Sequence, residues 1–287
     1  MPALLTTIIG EFGVKFKFIF ILFSATLLLF LAVLVFLPLI IFDSTFSGLF
    51  WRINWPFILV LALVFVFFNI FYFANRQLFT LLEKEDWPAL VRYLEDRVIQ
   101  KGNYSPRLVR LLANTYLVLS DSAAVMSLEN KTAVAKPSLV DANVLVFGVA
   151  RILGNDISGA IRFFEVRRDI KKTALSEWVH WYHGLALLLD HRFEEAADEF
   201  TLLARESKDG VISGLSSYFL CEILANVLPQ KKAEFALVSE AGREKVLRAF
   251  PGPEKWNREI TRLSTEIHAA AISRYLEETG CWLYRSG

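Results

Sequence analysis

Four side chains in one stretch are of types that could bind a metal ion. Glu177, His180 and His183 fall at i, i+3 and i+6, and His191 follows in what reads as a turn. Imidazole and carboxylate are ligands that zinc accepts, and a zinc-bound water is a hydrolytic nucleophile. A catalytic zinc, however, needs three protein ligands plus an open position, and H-x2-H lacks the i, i+4 spacing of H-E-x-x-H. Core histidines with polar partners explain His180 and His183 without any metal. No G-x-S-x-G, Walker A or G-x-G-x-x-G string stands between a strand and a helix, and Gly148 and Gly154 belong to a helix and its end. Cys221 and Cys281 lie far apart and form no CxxC pair. The expectation is therefore no catalytic residue, no metal and no cofactor; the alternative is a membrane-bound metal-dependent hydrolase using His180 and His183.

The elements that would hold these residues divide the chain in two. Up to Ala74 the only charged residues are Glu11, Lys15, Lys17, Asp43 and Arg52, although the whole chain carries 31 Lys and Arg against 30 Asp and Glu. Residues 18–42 contain no charge, and about 20 such residues suffice for a helix to cross the hydrocarbon core. A cleaved signal peptide would have a shorter apolar region and end at a small-x-small site, whereas this run ends in Pro38-Leu39-Ile40-Ile41-Phe42. Pro38 would kink the last turn or mark the approach to the interface. Residues 55–75 form a second run, with Asn69 as its one strongly polar side chain and a potential partner for the first span. Residues 1–17 are a tail and 43–54 a short linker, where Phe46, Phe50 and Trp51 suit the headgroup level. Lys15, Lys17, Arg76 and Lys84 flank the spans on one side against Arg52 on the other, which predicts cytoplasmic termini.

Beyond Arg76 the pattern is that of amphipathic helices with an internal repeat. GVARILGNDISGAIRFF from Gly148 aligns without a gap on GLALLLDHRFEEAADEF from Gly184, an offset of 36 residues. Gly148 pairs with Gly184, Ala160 with Ala196 and Phe164 with Phe200. The small residues allow close helix approach and the phenylalanines fill the space between units. This resembles the tetratricopeptide repeat, about 34 residues long with a small residue in its first helix and A-x3-F in its second. Val144 and His180 stand where that family favours Trp, and Lys208 where it favours Pro. Weaker copies place Trp87, Leu90 and Leu94 upstream, with a leading helix running directly out of the second span, and Ala124 and Leu128 between. Pro251-Gly252-Pro253 breaks the array.

The expected fold is thus all-α: a transmembrane helical hairpin, then a solenoid of antiparallel helix pairs over 76–250, then a capping helix and tail over 251–287. One capping helix, about 254–278, would align Trp256, Ile260, Leu263 and Ile267. The resemblance implies a concave groove lined by Leu145, Val149, Ile152, Trp178, Trp181, Leu185 and Leu188 that receives a protein partner. Those apolar side chains leave no place for a carboxylate clamp. The balanced charge gives no reason to expect nucleic acid. These features imply a scaffold or adaptor in the plasma or inner membrane, with the repeats cytoplasmic, as part of a larger envelope assembly such as a secretion or motility complex.

Overall fold

A computed structural model describes residues 16–41, 44–168 and 175–285, and every regular element among them is helical. The described residues fall into two compact units, one ending at Tyr93 and the other starting at Leu94.

In the first unit, α1 (Phe16–Ile41) packs on α2 (Ser44–Glu83). The two run antiparallel: Phe20 stacks on Tyr72 with ring centroids 3.6 Å apart, and Phe23 meets Phe68 at 4.5 Å, so one index rises as the other falls. Pro38 stays inside α1 near its end. Of the expected linker over 43–54, residues 44–54 are instead helical and continuous with the second apolar run, and residue 43 lies outside the described residues. Pro56 is accommodated within α2, and the Asn54 amide donates to the Phe50 carbonyl at 3.0 Å. The helix continues to Glu83, so its 40 residues make it about 60 Å long. Asn69 does not reach α1; its amide donates to the Phe65 carbonyl one turn back, 2.9 Å away. Among the described residues none of the most apolar stretch of either helix is buried, and their length and composition fit a bilayer.

The chain then turns by a device that recurs. Glu85, Ser120, Asn155 and His191 all have positive φ, between 53° and 63°, and lie 35, 35 and 36 residues apart. At each, the N–H bonds the carbonyl three residues back, and the next N–H reaches five back: Leu82 and Leu81, Leu117 and Tyr116, Ile152 and Arg151, Leu188 and Leu187. This is the Schellman arrangement, which satisfies the last carbonyls of a helix. Asp86, Asp121 and Asp156 follow the first three and cap the next helix, each accepting an N–H three residues on.

The helices joined this way are α2 with α3 (Trp87–Glu95), α4 (Pro106–Val118) with α5 (Ser122–Ala135), α6 (Val144–Leu153) with α7 (Ile157–Glu165), and α8 (Leu175–Leu189) with α9 (Phe193–Glu206). From α4 onward each packs on its neighbours in sequence, and α4, α6 and α8 also touch one another in order. The turn fixes the register of α5, which differs by one residue from the sequence expectation. Val125 and Glu129, not Ala124 and Leu128, stand where Ala160 and Phe164 stand in α7. Val125 is fully buried, and Glu129 replaces the aromatic ring by pairing with Arg151 of α6 at 2.8 Å.

Next come α10 (Gly210–Tyr218), prolonged by a π-helical turn at Phe219–Leu224, and α11 (Lys232–Ala249). The segment Gly210–Val227 is apolar enough for a span, yet most of it is buried against neighbours, with the Ser213 hydroxyl on the Ala204 carbonyl. The single capping helix expected from 254 to 278 is in fact three pieces: α12 (Pro253–Leu263), a five-residue helix Ile267–Ala271, and α13 (Ser273–Leu283). The first break allows α12 to bury Trp256 while the chain redirects through Ser264–Glu266.

Candidate functional site

The histidine cluster is organised by a residue that the spacing argument missed. Glu199 of α9 accepts from Nδ1 of His180 and from Nδ1 of His183, both at 3.0 Å, and from the Arg168 guanidinium at 3.2 Å. Burial raises the Glu199 carboxyl, but the hydrogen bonds and charge of the two imidazoles outweigh it and hold the group at about 2. An ionised carboxylate only accepts, so both Nδ1 atoms carry protons. Glu177 turns away: it takes the Ser207 hydroxyl at 2.5 Å and the Lys208 and Asp209 N–H groups at 3.3 Å. His191 occupies the left-handed position of its turn, ring against Phe193. The four residues that share a sequence stretch therefore serve three separate ends. Among the described residues no three His, Cys, Asp or Glu side chains converge as metal ligands. A hollow of ≈ 510 Å³ borders the cluster, with Arg192 and Glu195 on its rim bonded to each other. The arrangement orients imidazoles between helices; it is interhelical cement. The signal for Glu199 was in the sequence, since Ala196, Glu199, Phe200 and Leu203 share the buried stripe of α9.

The repeat-packing residues sit at the helix crossings. Ala160, Phe164, Ala196 and Phe200 are completely buried. A Cβ on Gly148 would overlap the Phe164 ring, and one on Gly184 would stand 3.1 Å from Phe200.

The expected groove is not open. Leu145, Val149, Trp178, Trp181 and Leu185 are buried, and only Ile152 and Leu188 are partly exposed. Two things cover the tryptophans. Trp181 packs among Phe200, Phe219 and Tyr182 in the core. Trp178 and Tyr182 lie under the Ile267–Ala271 helix, with the His268 ring 5.2 Å from Trp178 and the Tyr182 hydroxyl donating to the His268 carbonyl at 2.7 Å. That short helix also rests on α6.

What remains of the face is a cleft of ≈ 400 Å³ between α4, the start of α6 and residues 265–268. Arg110 lines it, bonded to the Asn143 side chain and the Ala142 carbonyl, together with Leu145, Glu266 and His268. Asn143 stands at the start of α6 without capping it; its amide donates to Leu139 instead. Glu266 pairs with His268 Nε2 at 3.1 Å and is held below its ordinary range by that bond. Sequence reasoning singled out neither Arg110 nor His268, because their partners stand 33 and 86 positions away in the chain and are brought to them only by the fold.

The family described as "Uncharacterised Treponema protein" matches residues 124–285, more than half of the chain. A protein of Treponema pallidum (strain Nichols), described as "Uncharacterized protein", is 26% identical over 283 residues, covering 96% of this chain and 89% of that one. No solved structure matches.

Proposed function

The chain belongs to the family described as "Uncharacterised Treponema protein", and we propose that it is a membrane-anchored scaffold that binds partner proteins through a tetratricopeptide-like solenoid. The observation that carries this reading is the turn repeated at Glu85, Ser120, Asn155 and His191, which builds successive helix pairs of one design after two helices whose most apolar stretches are not buried among the described residues. Stacked pairs of this kind present long continuous surfaces, and solenoids use such surfaces for binding. The apolar hairpin supplies the anchor, and the basic flanks support a cytoplasmic repeat domain in the plasma or inner membrane. The hydrolase alternative has less support, because Glu177 binds Ser207 and not the imidazole pair, whose Nδ1 atoms are taken up by Glu199. Crosslinking in intact cells followed by purification of the full chain in mild detergent tests the proposal. A stoichiometric protein partner crosslinked to residues of α4–α9 is expected; recovery of the chain by itself under all crosslinker doses sinks it.

A further inference from the structure

We propose that residues 264–272 are a displaceable strap, occupying in the resting chain the face of α6 and α8 that a helical segment of a partner takes over. This rests on the partner-binding reading above. The strap is flanked by firmly held helices: Trp256 of α12 is buried, while α13 is fixed by the Tyr218 hydroxyl on Glu278 at 2.9 Å and by Arg243 on the Leu283 carbonyl. Between them the chain makes one short helix bounded by breaks at Ser264–Glu266 and Ile272. The side-chain hydrogen bonds of Ser264, Thr265 and Glu266 are local, to Ile260, Arg262 and His268. The bond from Tyr182 ends on a main-chain carbonyl, which a helix of any sequence offers at its last turn.

The strap also leaves polar atoms buried without partners: His268 Nδ1, and Asn114 Oδ1 at the adjoining cleft. The buried side chains of the strap are His268, Ala269 and Ile272. The surface beneath therefore fits a short helix that presents apolar residues and one ring, with one of its free carbonyls on Tyr182. The ≈ 400 Å³ cleft at the leading end of the strap gives such a helix a place to begin.

Hydrogen exchange of the full chain in nanodiscs tests this. Amides of 267–272 should exchange at least about 100-fold faster than those of 181–187, with 273–283 protected like the core, because sub-global openings expose one segment at a time. Equal protection of strap and core overturns the proposal. Ala269→Glu places a charge on the buried side and should expel the strap with helix content unchanged. Exchange at 178–185 should rise at least about tenfold. A synthetic peptide of residues 262–274 should then bind and restore protection, and the same peptide with A269E should not. Global loss of helix in Ala269→Glu, or no binding by the native peptide, overturns the proposal. A partner crosslinked to the repeats while the strap stays as protected as the core would leave the scaffold reading standing and remove this one.

Discussion

At the scale of single residues, the two glycines that align in sequence differ in what they tolerate. Gly148 has the Phe164 ring where a Cβ would go, and that ring is completely buried. Gly148→Ala should cost about 1–3 kcal/mol of stability by overpacking. Gly184 has more room, so Gly184→Ala should cost clearly less, and paired urea melts of the two variants measure the difference. Glu199 gives a pH signature. Its carboxyl is held at about 2, below the ordinary 4.5, so its contribution is complete above about 4.5 and is lost as pH falls from there through 2. Glu199→Gln should lower stability at pH 7 by about 1.5–3 kcal/mol, the worth of hydrogen bonds to a charged acceptor. The variant should also show a flatter loss between pH 4.5 and 2 than the unsubstituted chain. Equal pH slopes in thermal melts would show that Glu199 is not the group involved.

At the scale of elements, the helices and the two best-matched repeats were legible because small and aromatic residues recur at a fixed offset. The first two turns were weak in sequence because no glycine marks them: Glu85 and Ser120 adopt the left-handed conformation that glycine takes most easily. His191 does the same, which explains a residue that spacing alone offers as a ligand. His191→Gly should therefore raise stability by about 0.5–1 kcal/mol, the relief of αL strain less the entropy of glycine. A lower melting temperature would mean that the ring does more than fill its turn. The register of α5 was misread for a related reason, since Ser120, Asp121 and Ser122 are all residue types that cap helices and the run does not tell which of them does. Closure of the groove was not legible at all. An apolar helix face announces that it will be covered, and its sequence carries no information on whether a partner or a distant part of the same chain does so. In the hairpin, the Phe20 and Tyr72 contact predicts that a Phe20→Cys, Tyr72→Cys pair forms a disulfide under mild oxidation. A Phe20→Cys, Trp55→Cys pair should not.

At the scale of the whole molecule, the sequence divides into a sparsely charged part and a densely charged, balanced one, and the division agrees with the two compact units to within about five helical turns. Orientation is the property that decides which partners are available. Cys281 is exposed on α13 and Cys221 is half-buried, so a membrane-impermeant maleimide should label Cys281 first. Labelling in inside-out vesicles and none in intact cells is expected for a cytoplasmic repeat domain; the opposite pattern reverses the topology. The contact between Tyr182 and His268 spans 86 positions of chain. Translation proceeds at about 5–20 residues per second, so the aromatic face of α8 exists for about 4–17 s on the ribosome before its cover has been made. In that interval the apolar hairpin has already emerged. The nascent protein thus carries its stickiest surface bare for that time, and a chaperone has its first opportunity there.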